Sequence, residues 1–108
     1  MKTTTIHQTI SALRAKGYRV HAQHLRYPAP NQMGTLAPTQ ELKDLGITVS
    51  PRGGITRVVI ANEETGTVVA QGEADCSLRD NFNRRVGVAI ALGRAIDAGE
   101  ITLEPQAR

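Results

Sequence analysis

The chain has 108 residues, with 13 Lys and Arg against 10 Asp and Glu, for a formal net charge of +3. Its 40% apolar content suits one globular domain over residues 1–108, and no apolar run is long enough to span a bilayer. A single cysteine excludes an internal disulfide and predicts a reducing, cytoplasmic setting; the opening MKTTTIHQTI lacks the continuous apolar segment of a secretion signal.

Residues 3–16 read as a helix, because Ile6, Ile10 and Leu13 fall on one stripe. One of Thr3 to Thr5 can cap its start and Gly17 suits the left-handed position after its end. Arg14 and Lys16 lie in its last turn, where cations complement the helix dipole. Residues 18–27 alternate Tyr18, Val20 and Ala22 with Arg19, His21 and Gln23, the period of a half-buried strand. His21 and His24 then differ in parity and are expected on opposite faces. Pro28 and Pro30 end the strand, and residues 28–54 read as a long loop. Within it, Thr39 to Gly46 can form a helical turn or two, and the PRGG of Pro51 to Gly54 reads as a turn.

ITRVVIA, residues 55–61, is β-branched and reads as a strand. NEETG supplies turn residues, and the chain returns as a strand to Cys76, making a hairpin over 55–76 that reverses near Gly66. Cys76 shares strand parity with Val68, Ala70 and Ala74, so it is expected to be buried with the apolar set. Ser77 with Asp80 fits the S-x-x-[DE] cap, which predicts a final helix over 77–98. Its buried stripe is read as Leu78, Phe82, Val86, Ala89, Ile90, Gly93 and Ile96. Gly99 suits its C-terminal cap, and Gly87 falls on the opposite face. Residues 99–108 form a tail. The sum is a two-layer α+β domain of order α-β-β-β-α, with a three-stranded antiparallel sheet and both helices on one face.

No residue set carries chemistry. H-x13-H-x2-H matches no zinc spacing, PRGG lacks the Lys-Ser/Thr and helix of a phosphate loop, and nothing places a histidine beside Cys76. No catalytic residue, metal or cofactor is expected, so the chain reads as a non-enzyme. The charge pattern is more informative. Residues 1–40 hold Lys2, Arg14, Lys16, Arg19 and Arg26 and all three histidines, but none of the 10 acids. That asymmetry predicts an electropositive contact surface for a protein partner or for phosphates. Its candidate residues are Arg14, Lys16, Arg19, His21 and Arg26, together with Arg79, Arg84 and Arg94 near or on the final helix. Arg79 is expected in that helix's first turn, where a cation opposes the dipole unless an anion joins it.

Two resemblances follow. The order α-β-β-β-α, with GEADCS before the last helix, resembles the double-stranded RNA-binding domain, in which a G-x-G-x-S run leads into a basic helix start. Gly72, Ala74 and Cys76-Ser77 stand where that run would be. Leu78 and Arg79 replace that family's paired lysines, and PAPNQMG replaces its Gly-Pro-x-His. The run G-x-A-x-C-S-x-x-D-x-F-N, then G-x-x-I-A-x-G-R-A, over Gly72 to Ala95, looks like a pattern in small accessory proteins of phages and mobile elements. Some of these inhibit host defence, as anti-CRISPR proteins do. The second resemblance implies a non-enzymatic protein in a bacterial host cell that blocks a host protein or ribonucleoprotein complex by occupying its surface. The alternative is a domain that binds RNA or DNA directly through the N-terminal basic surface.

Overall fold

A computed structural model describes residues 5–29 and 34–101. Thr3, Thr4, the middle of the loop after the first strand and the tail from Thr102 lie outside the described residues. The elements are α1 (Ile6–Ala15), β1 (Tyr18–Arg26), β2 (Ala37–Pro38), α2 (Thr39–Asp44), β3 (Arg52–Asn62), β4 (Val68–Asn81) and α3 (Arg84–Ala98). The fold is mixed α+β. Its antiparallel sheet has four strands in the order β2-β1-β3-β4, where the sequence predicted three. The extra strand, β2, is two residues long and pairs with β1 only at Leu25 and Arg26.

The first half follows its local signals. Gly17 takes φ +89° after α1, as the cap requires. Gly46 at φ +73° ends α2, with its amide donating to the Lys43 carbonyl at 3.0 Å. The β3–β4 turn is held by Asn62, whose Oδ1 accepts from the amides of Glu64 at 2.9 Å and Thr65 at 3.2 Å.

The PRGG segment is not a turn, because β3 starts at Arg52. Gly53 and Gly54 enter it at φ +72° and +137°, values that glycine alone adopts freely. Opposite them the ladder steps from Gly54↔Cys76 to Arg52↔Asn81, so residues 77–80 bulge out of β4.

That bulge overturns the predicted start of the last helix. Ser77 lies within β4, and its Oγ accepts from the Arg79 amide at 3.1 Å, a local turn inside the bulge. Pairing resumes at Asn81, and the Phe82 amide donates to the Pro51 carbonyl at 2.9 Å. The helix begins only at Arg84, capped by Asn83, whose side chain accepts from the Val86 amide at 3.1 Å. The GEADCS run therefore does not open a helix. Arg79 sits in the strand bulge and not in the first turn of a helix.

The later start also changes the buried face of α3. Ala89, Ala91, Leu92 and Ala95 are buried, while Val86 and Ile90, assigned to the stripe from sequence, are exposed at 43% and 38%. An alanine seam lets the helix lie close to the sheet, and glycines on both layers make room. A Cβ on Gly72 would meet the Ala91 carbonyl and stand 2.5 Å from the Ala95 nitrogen. One on Gly99 would be 2.6 Å from the Ala70 methyl, and one on Gly87 would collide with Thr56. Gly87 thus faces β3, and packing within the chain accounts for it.

Leu13 of α1 and Ala91, Leu92 and Ala95 of α3 join Val58, Ile60, Ala70 and Ala74 in one core cluster. Both helices therefore cover the same sheet face. On the other face Arg57 Nε pairs with Glu73 Oε1 at 2.9 Å. No helix among the described residues is long and apolar enough to cross a membrane.

Candidate functional site: a cation-lined cleft

The site forms where three elements converge on the end of β1. Register places His24 beside Thr56 of β3 and Thr56 beside Ala74 of β4, so the three share the helix-covered face. His24 Nδ1 and Thr56 Oγ1 are hydrogen-bonded at 3.1 Å. From α2, Thr39 Oγ1 donates to the His24 carbonyl at 3.1 Å. Side chain and backbone of His24 are thus both held, one by the sheet and one by the short helix.

Phe82, next after the last residue of β4, packs beneath this region. Its ring stands edge-on to the His24 imidazole, with centroids 5.6 Å apart at 87°. The Arg26 guanidinium lies over the same ring, 4.2 Å from its centroid. Gly54 is the reason the ring can sit there, since a Cβ at that position would be 2.9 Å from Phe82 Cδ1. Arg26 also donates from a terminal nitrogen to the Ser50 carbonyl at 2.6 Å, and its buried Nε has no hydrogen-bond partner among the described residues.

Above this floor is a cleft of about 290 Å³, lined by His21, Gln23 and His24 of β1, Thr39, Gln40 and Lys43 of α2, and Arg84 of α3. Its walls carry two permanent cations and two imidazoles, and none of the described lining residues is a carboxylate. The electrostatic consequence is visible on His24. Burial first, then Arg84 and Arg26, hold its pKa below the ordinary imidazole value. Arg26 is likewise held down by burial first and Arg84 second, with the Cys76 thiol acting in the opposite direction. Such a set of mutually repelling donors is suited to hold an anion.

The predicted surface residues divide. His21 and Arg84 meet in the cleft, and Arg26 lies close enough to feel Arg84. Arg14 and Lys16 are exposed at the far end of α1, and Arg19 is exposed near the start of β1; from there Arg26 is roughly 20 Å along the strand. Arg79 is exposed in the bulge, and Arg94 donates to the Glu73 carbonyl on β4 at 2.8 Å. The N-terminal bases therefore do not form one patch.

The histidines lie on opposite faces of β1, as strand parity predicts, yet they share one site. His21 and His24 line the same cleft because β1 has no β2 partner before Leu25. The cleft wraps that open edge and receives side chains from both faces. His24, Thr56, Phe82 and Lys43 were missed as site residues. His24 and Arg26 share strand parity, which was the available signal; Lys43 lies in the helical turn expected over Thr39 to Gly46, where nothing local marks it as a site residue.

Cys76 is half-buried rather than buried. Its Sγ lies 3.6 Å from each of the carbonyl oxygens of Ser77, Asp80 and Asn81, so the thiol is wrapped by its own bulge. It borders a separate hollow of about 220 Å³ between β4 and α3, whose lining includes Phe82, Val86 and Ile90. The hydrogen bonds of the thiol reach neither His21 nor His24.

No family model, curated protein or solved structure matches the chain. The fold and the cleft stand on their own geometry.

Proposed function

We propose that this is a non-enzymatic binding protein that recognises nucleic acid through phosphate contacts in the cation-lined cleft. The observation that carries the reading is the convergence of His21, His24, Lys43 and Arg84 from three elements with no carboxylate in the described lining. Phosphate contacts give affinity and register without sequence readout, which suits a site with no exposed aromatic platform in its lining. The test is a salt series with labelled RNA and DNA. If Lys43 and Arg84 displace about two counterions, the log–log slope is roughly −1.8, a loss of about twelve-fold between 50 and 200 mM salt. The double reversal Lys43→Glu with Arg84→Glu should abolish binding. Salt-insensitive binding, or binding unchanged by the reversal, would overturn the reading.

A second reading is the stoichiometric inhibitor of phage or mobile-element type. The observation favouring it is the hollow between β4 and α3 with exposed Val86 and Ile90 at its margin, within the Gly72–Ala95 stretch that carries that resemblance. It would act by docking on a protein, and Val86→Glu would then disrupt inhibition while leaving nucleic-acid binding intact.

A further inference from the structure

We infer that the cleft receives the terminal phosphate of a nucleic-acid strand, a phosphate monoester, in preference to the diester phosphates along it; this rests on the nucleic-acid reading above. The first ground is shape. The cleft is about 290 Å³ and is bracketed by β1, α2 and the first residue of α3. That volume sits at the bottom of the roughly 300–1,000 Å³ range of small-ligand pockets, so it fits an end group and not the flank of a duplex.

The second ground is charge. A monoester carries about −1.5 to −2 near neutral pH, against −1 for a diester. Lys43 and Arg84 supply two fixed charges to one small volume, which the His21 and His24 imidazoles also line. Along a uniform diester backbone, one phosphate at a time would meet all four groups, leaving them under-neutralised. A dianion matches them. Of the two acids on α2, Asp44 is held by Gln40 Nε2 at 2.8 Å, and neither it nor Glu41 is part of the lining.

The third ground is the environment of His24. His24 is packed against Phe82 and Thr56 and faces Arg84 and Arg26, with Lys43 across the cleft. Burial first, then Arg84 and Arg26, disfavour its protonation, and a bound dianion would reverse the electrostatic part. The site is therefore arranged so that a strongly charged group gains an additional proton-bearing partner on arrival.

The experiment compares one single-stranded oligonucleotide in three forms, with a 5′-phosphate, with a 3′-phosphate and with hydroxyl ends, by fluorescence anisotropy against the intact protein. A terminal phosphate at either end should tighten binding by about tenfold or more over the hydroxyl strand, the size of one or two charge-assisted hydrogen bonds. Arg84→Gln, an exposed and fold-neutral change, should erase that preference. Measurable binding with equal affinity for all three strands overturns the inference and leaves the nucleic-acid reading standing. Binding of none of them overturns both. Displacement of the phosphorylated strand by a mononucleotide at equal concentration would also overturn the assignment to a strand end.

Discussion

Gly87→Ala separates two effects of opposite sign at the place where α3 meets the site. Helix propensity alone predicts a gain of about 1 kcal/mol, because Gly is that much worse than Ala inside a helix. Packing predicts the reverse. The new methyl would collide with Thr56 Oγ1 and stand 3.0 Å from Thr56 Cβ, where ordinary contact begins at 3.4 Å. Thr56 is fully buried at 0% exposure, on a central strand, and its hydroxyl is engaged by His24. It has nowhere to turn, so the first turn of α3 must lift by several tenths of an ångström. Overpacking of this kind costs about 1–3 kcal/mol, which exceeds the propensity gain over most of its range. The expected net loss is about 1 kcal/mol, or a Tm lower by roughly 4–8 °C. Urea denaturation read by far-ultraviolet circular dichroism measures it directly. The lift also carries Arg84 away from His24, so phosphate binding should weaken together with stability. A Gly87→Ala protein more stable than wild type would refute the packing argument, since only propensity would then be acting.

Two further predictions use the pH dependence and the thiol. His24 has its folded pKa below the unfolded value, so the unfolded chain binds the proton first as pH falls. Stability supplied by the neutral, buried ring is present above about pH 6.5 and is lost progressively below it. Urea midpoints at pH 7.5 and 5.5 should fall more steeply for wild type than for His24→Gln; identical slopes would remove His24 from the account. Cys76, wrapped by three carbonyls in its own bulge, should react with a thiol reagent more slowly in native buffer than in urea, and Cys76→Ala should bind nucleic acid as wild type does. Equal rates in both solvents, or loss of binding in the variant, would count against a purely structural thiol.

Helices, strands and turns whose signals were local were legible in the sequence. The stripe of α1, the alternation of β1, the Gly66 reversal and the stop at Gly46 each depend on a few neighbouring residues. The errors came where two local signals competed and a tertiary contact decided. Ser77 and Asp80 satisfy a helix-capping pattern, and Asn83 satisfies another six residues closer to α3. The second prevails because Asn81 still pairs with Arg52 and the Phe82 amide with Pro51. No window of sequence contains both partners of those bonds. Shifting the helix start turned the apparent stripe of Val86 and Ile90 outward and brought Ala91 and Ala95 onto Gly72. Of the cleft, the acid-free first 40 residues pointed to His21, with Arg26 close beneath it. Lys43 and Arg84 come from outside that stretch, and only the fold brings them to β1.

The site exists because β1 is left unfinished. Pro38 has no amide to donate, so β2 pairs at Leu25 and Arg26 and then turns at once into α2. Beyond that point a strand edge would be open, yet the His24 carbonyl is not left free, since the Thr39 hydroxyl takes the place of a strand amide. A side chain thus finishes what the backbone of β2 does not, and α2 stands beside the edge instead of covering it. On the opposite side, Gly87 lets α3 begin low enough over Thr56 for Arg84 to reach the same edge. Thr56 ties the two halves together, bonded to His24 through its hydroxyl and pressed by the first turn of α3. The spacing of the cations in the cleft is consequently set by the packing depth of a helix. A longer β2 would bury the edge, and a side chain at residue 87 would withdraw Arg84; either change would leave the charges in the sequence and remove the site.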